Sequence, residues 1–159
     1  MKCIYSDEAS SSKKEELGRS VFLAGPTPRS KEVKSWRPEA IKLFEKFEFN
    51  GTIIIPEGSD GTFKLTQDEQ IEWEERYLID STVILFWIPR DLKTMPGFTT
   101  NDEWGTWKHS GKVVLGIPFW AEKVNYQTWY AKKYKIPMAL SLEKTIWNAV
   151  MMIEDKNYG

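Results

Sequence analysis

Five short apolar runs interrupt an otherwise mixed chain: residues 20–24 (SVFLA), 52–56 (TIIIP), 82–88 (TVILFWI), 113–118 (VVLGIP) and the weaker 138–140. Runs that are apolar throughout, rather than alternately, predict strands buried on both faces. Between them the apolar residues fall at helical spacing. Trp36, Ala40, Ile41, Leu43, Phe44 and Phe47 share one face, behind a Ser35 cap and with Pro38 in the first turn. Thr66-x-x-Glu69 and Thr100-x-x-Glu103 read as capping boxes, opening helices that run to about Asp80 and to Gly111. Asn125 is placed to cap a helix carrying Tyr126, Trp129, Tyr130 and Tyr134. Leu142, Ile146, Trp147, Val150 and Met151 make the apolar face of the last one.

This alternation predicts an α/β fold: a single doubly wound domain with a five-stranded parallel sheet in the order 2-1-3-4-5 and helices on both faces. The topological switch then lies between the first and third strands. Two loops at the strands' carboxyl ends are singled out as the ligand edge, residues 25–34 and 89–100. Residues 20–159 form the expected domain. Residues 1–19, polar apart from a short extended stretch at 2–6, read as an N-terminal arm or edge segment.

Charge narrows the function more than it narrows the fold. The 159 residues carry 22 Lys+Arg against 23 Asp+Glu, a net charge of -1, which offers no basic excess to neutralise nucleic-acid phosphates or an anionic membrane. No apolar stretch suits a membrane span or a signal peptide, so a cytoplasmic protein is expected. The lone Cys3 and lone His109 exclude an internal disulfide and a Cys/His zinc site, and neither residue is assigned a role. Chemistry must then run on carboxylates, hydroxyls or amides, with neither metal nor cofactor expected. Against this scarcity stand 8 Trp, 8 Phe and 6 Tyr, enough flat surface to stack a ring as well as fill a core. Phe22, Phe44, Phe86 and Trp147 read as core. Trp73, Phe98, Trp104 and Tyr126 read as lying near the crevice or a subunit contact.

Glu103 is the leading candidate, since the loop after the third strand delivers it to the predicted crevice. In a capping box it would lie in the helix's first turn, where free N–H groups and the helix dipole favour the ionised form. Such glutamates commonly serve stability alone, worth roughly 1 kcal/mol. Trp73 and Glu74, in IEWEERYL, could hold an aromatic ring and accept from its N–H groups. The loop Gly25-Pro26-Thr27-Pro28-Arg29 matches neither G-x-x-x-x-G-K-[ST] nor G-x-G-x-x-G, and its two prolines remove donors that would cradle phosphate.

The segments VFLAGPTPR, SWRPEAI, WEERYL, ILFWIPR, FTTNDEWGTW and SGKVVLGIP together resemble the nucleoside 2-deoxyribosyltransferase-like family, over roughly residues 20–140. That resemblance implies a flavodoxin-like enzyme of nucleotide salvage that cleaves an N-glycosidic bond and passes 2-deoxyribose to another base. Glu103-Trp104-Gly105 matches the family's E-x-G pattern, which makes Glu103 the implied nucleophile. Glu74 resembles the base-side carboxylate, usually an aspartate. Asn125 resembles an asparagine that reaches a neighbouring subunit's sugar, implying a homo-oligomer with shared sites. Nucleoside and free nucleobase are the implied partners, with no nucleic acid and no membrane.

Two positions depart from the pattern. Phe22 stands where a tyrosine often touches the nucleophile, and Gly97 stands where a second acid often contacts the sugar. Thr99, Asn101 and Asp102, with Gly25 and Pro26 across the crevice, are the residues left to bind substrate. A nucleoside or nucleotide hydrolase is the second enzymatic reading, and a non-catalytic nucleoside-binding module the alternative of another class.

Overall fold

The computed structural model describes residues 1–7 and 17–156. Its sheet has six parallel strands: β1 (Lys2–Tyr5), β2 (Ser20–Ala24), β3 (Thr52–Ile55), β4 (Val83–Trp87), β5 (Val113–Gly116) and β6 (Met138–Ala139). Their order is β1-β3-β2-β4-β5-β6. The five strands after β1 stand in the expected 2-1-3-4-5 arrangement, and β1 extends the sheet by pairing in register with β3, Cys3 opposite Ile53 and Tyr5 opposite Ile55. The stretch expected as an arm or edge segment therefore supplies a sixth strand. The rest of that arm, residues 8–16, lies outside the described residues.

Among the described residues five helices cover the sheet: α1 (Arg37–Lys46), α2 (Gln67–Asp80), α3 (Phe98–Trp107), α4 (Asn125–Lys133) and α5 (Leu142–Lys156). Burial divides the core into two layers, as the unbroken apolar strands require. Val21, Leu23, Ile53, Ile55, Leu85 and Val114 face α1 and α5. Phe22, Ile54, Ile84, Phe86 and Leu115 face α2, α3 and α4.

The helix starts differ from expectation in an instructive way. The Thr66–Glu69 capping box forms, with the Thr66 hydroxyl accepting from the Glu69 N–H and the Glu69 carboxylate accepting from the Thr66 N–H. The Thr100–Glu103 box does not. α3 begins earlier, behind Gly97 at φ 63°, a left-handed conformation that glycine adopts without strain. Thr100 is thereby buried inside the first turn and Glu103 falls in the second. α1 starts behind Trp36, although the Ser35 hydroxyl still accepts from the Arg37 N–H at 3.2 Å. Asn125 is the first residue of α4 and caps nothing; the N-cap is Val124. α3 ends at Trp107, short of Gly111, whose φ of 72° closes the following turn.

Among the aromatics, Phe22, Phe44 and Phe86 are fully buried, whereas Trp147 is 40% exposed and meets Phe47 edge-on. Trp104 belongs to the core, packed edge to face against Phe86 at 5.3 Å.

Candidate active site

The carboxyl ends of β2 and β4 flank the topological switch, and a cleft of about 350 Å³ opens there. Gly25 and Thr27 form its β2 wall, Pro56 enters from the end of β3, and Gln67, Gln70, Ile71 and Glu74 come from α2. Residues Pro96 to Thr99, followed by Glu103, close it from the α3 side. The first β-α loop must pass very close to its neighbour here. Gly25 has φ 145°, and a Cβ at this position would overlap the Trp87 carbonyl oxygen, so the wall is built of backbone.

The cleft brings two carboxylates together from different helices. Glu103 is pushed up to about 8, first by burial and then by the neighbouring Glu74, while Arg37 pulls it down. Glu74 is also raised by burial, against a hydrogen bond from Gln70 and the charge of Arg37. The helix-terminus effect expected to keep Glu103 ionised is outweighed by its removal from water, and the second-turn position weakens that effect further. Each carboxyl group therefore holds its proton more readily than a free glutamate, and the charge of Glu74 couples its ionisation to that of Glu103.

Gln70 steadies Glu74 from one turn earlier on α2. Its Nε2 donates to the Glu74 carboxylate at 2.7 Å and to the Pro56 carbonyl at 3.2 Å. At the cleft mouth the Arg29 guanidinium lies 5.5 Å from the Phe98 ring centroid, and Phe98 is 71% exposed. Phe63 also lines the cleft and is exposed, so two rings give it flat apolar surface.

Not every expected binding residue reaches the cleft. Glu103, Glu74, Gly25 and Thr99 line it. Trp73 points about a quarter-turn away from Glu74 and is buried against Phe22 and Tyr77. Phe22 is fully buried in that same cluster. Pro26 is buried behind the wall, its carbonyl accepting from Trp36 Nε1 at 3.1 Å. Asn101 faces the other way, its Oδ1 accepting from Gln127 at 2.8 Å and from Arg90. Asp102 is exposed and acts on Glu103 only through its charge. Asn125 lies outside this cleft, in a separate depression with Tyr126, Trp129 and Tyr130. No group of three or more His, Cys, Asp or Glu side chains among the described residues is arranged to hold a metal ion, and no helix among them is long and apolar enough to cross a membrane.

A family model described as nucleoside 2-deoxyribosyltransferase like matches residues 18–119, a stretch that contains every residue of the cleft. The chain belongs to the nucleoside 2-deoxyribosyltransferase-like family. No match to an individually curated protein was found. For a member of this deoxyribosyltransferase-like family, pentosyl transfer is the coarse activity to which the cleft must be fitted. The matched stretch ends before α4, so Asn125 stands outside it.

Sequence reasoning passed over Arg37, Gln70 and Glu57. Gln70 was within reach of it, because a four-residue step on one helix places it beside Glu74. Arg37 carried no such signal, since an arginine opening a helix ordinarily reads as solvated.

Proposed function

We propose that this protein transfers 2-deoxyribose from one nucleobase to another through a covalent glycosyl-enzyme on Glu103. The observation that carries the proposal is the pairing of Glu103 and Glu74 across one partly desolvated cleft, in a chain of this family. With one proton on the pair, the two carboxyl groups can take opposite roles. A base nitrogen accepting from protonated Glu74 leaves Glu103 ionised and able to attack.

Glu103 attacks C1′ from the face opposite the base. The C1′–O bond forms as the C1′–N bond breaks, the bonding electron pair leaves with the base, and Glu74 supplies the proton that neutralises it. In the second half an incoming base nitrogen attacks C1′ from the original side, gives its proton to the Glu74 carboxylate, and releases Glu103. Two inversions retain the configuration. Thr99 and Phe98, at the α3 end of the cleft, are the residues offered for sugar and base contact. Asn125, exposed beside Tyr126 and Trp129, is offered to the cleft of a neighbouring copy.

Incubation with a deoxynucleoside and a different free base, followed by separation of products, tests the reading. A new deoxynucleoside is expected. Free deoxyribose, formed whether or not an acceptor base is present, would identify a hydrolase. Unchanged substrates across purine and pyrimidine donors would overturn the enzymatic reading in favour of a binding module.

A further inference from the structure

Arg37 is 2% exposed, and its fork is spent on the cleft wall. Nε donates to the Leu23 carbonyl at 3.2 Å, Nη2 to the Gly25 carbonyl at 2.9 Å, and Nη1 to the Thr27 hydroxyl at 3.1 Å and to the Glu57 carboxylate. The guanidinium also stacks on Trp36, 4.8 Å from the ring centroid, while Trp36 holds the Pro26 carbonyl. Consecutive turns of the loop after β2 are thus bound from one side by the start of α1.

Burying a guanidinium is costly unless it is paired and hydrogen-bonded, and Glu57 together with the carbonyls offsets that cost here. Holding three oxygens would need only a neutral donor. A charged one, with a second charge buried to compensate it, calls for a further reason, and the cleft supplies it. Arg37 lines the cleft that contains Glu74 and Glu103, and its positive charge favours ionisation of both. Burial makes both carboxyl groups harder to ionise, and the charge of Glu74 adds to this at Glu103; a protonated carboxyl attacks poorly, and the guanidinium beside them opposes that shift.

We propose that Arg37 is a positioning residue for the carboxylate pair: its fork locks the wall of residues 25–27, and its buried charge, trimmed by Glu57, sets how readily Glu103 becomes anionic. This rests on the reading of Glu103 as nucleophile. The charged groups acting on Glu103 are Glu74 from α2, Arg37 from α1 and Asp102 on its own helix; Arg29 lines the same cleft, and Glu57 faces Arg37. Arginine is needed for the geometry, because a lysine ammonium carries the charge without a planar fork that spans separate carbonyls.

A carboxyl carbon-13 NMR titration of Glu103 in the full chain tests the charge without requiring turnover. Arg37→Met is expected to move the Glu103 midpoint upward, and each pH unit of that movement removes about ten-fold of the ionised fraction below the midpoint. Glu57→Gln is expected to move it downward, since the positive charge is then less cancelled. Arg37→Lys keeps the charge, so its midpoint stays close to the starting one while KM rises as the wall loosens. An unmoved Glu103 midpoint in both Arg37→Met and Glu57→Gln, with circular dichroism showing the fold retained, overturns the proposal. Should Arg37→Met not fold, an unmoved or raised midpoint in Glu57→Gln does so alone. Failure of the unaltered protein to transfer deoxyribose would instead strike the assigned reaction and leave the titration result standing.

Discussion

Gly25 lies against the Trp87 carbonyl so closely that no side chain fits between the two strand ends. Its φ of 145° is also one that L residues rarely adopt. Gly25→Ala must therefore shift backbone rather than a flexible side chain. We expect a loss of about 2 kcal/mol or more in urea unfolding, by the combined routes of strain and overlap. Transfer activity should fall further than stability, because this wall also faces Glu103.

Glu103→Gln separates chemistry from folding. If Glu103 is the nucleophile as proposed, the amide cannot attack C1′, and transfer should be abolished in product assays while circular dichroism remains unchanged. Stability should respond in the opposite direction. A glutamate raised from 4.5 to about 8 on folding binds its proton more tightly in the native state. Its contribution is whole below pH 4.5 and is lost as pH rises through about 8. The unaltered protein should thus lose melting temperature across that window, and Glu103→Gln should flatten that part of the profile.

Glu74→Gln removes the like charge that helps to raise Glu103, so the Glu103 midpoint should fall below its present value of about 8. On the proposed reaction the variant would also lose the proton donor for the leaving base. A drop in turnover of about a hundred-fold is expected. Donors whose bases leave readily without protonation should suffer less, a difference that steady-state kinetics with two donors would measure.

Lys112 ties down the end of α2. Its Nζ donates to the carbonyls of Leu78, Ile79 and Ser81 at 2.6, 2.8 and 3.0 Å, the first two lying in the last turn of α2, where carbonyls lack an intrahelical partner. Lys112→Met should cost about 1.5–3 kcal/mol in denaturant unfolding, the range for hydrogen bonds to a charged group. The cleft is at the other end of α2, so the kcat of transfer should stay within about two-fold, less than the factor of ten that 1.4 kcal/mol would give.

Asn125 gives a test of site sharing. Mixing an Asn125→Ala chain with a Glu103→Gln chain should restore activity if each cleft takes its asparagine from a neighbour. Mixtures as inactive as the separate chains would assign Asn125 no role across subunits.

The parallel sheet was readable because strands buried on both faces must be apolar along their whole length, and that constraint is local. The position of the cleft followed from strand order alone, through the switch between β2 and β4. Glu103 was readable from the loop that delivers it, although its surroundings were not. The same spacing that suggested a capping box around it was defeated by Gly97, whose left-handed φ starts α3 early and turns Thr100 inward. Trp73 and Glu74 show a similar limit. Adjacent residues on a helix diverge by about 100°, and which of the two meets the cleft depends on how α2 is rolled against the sheet.

Local patterning thus settled the elements, their parallel arrangement and the edge at which chemistry could occur, since burial and helical period act within a few residues. Packing between distant segments set the surroundings of the carboxylate pair and the wall that faces it. Arg37 meets the carbonyls of Leu23 and Gly25 and the carboxylate of Glu57 only after α1 has docked beneath the ends of β2 and β3. The acidity of Glu103 depends in the same way on water excluded and charges gathered by three helices, quantities that exist only in the assembled fold.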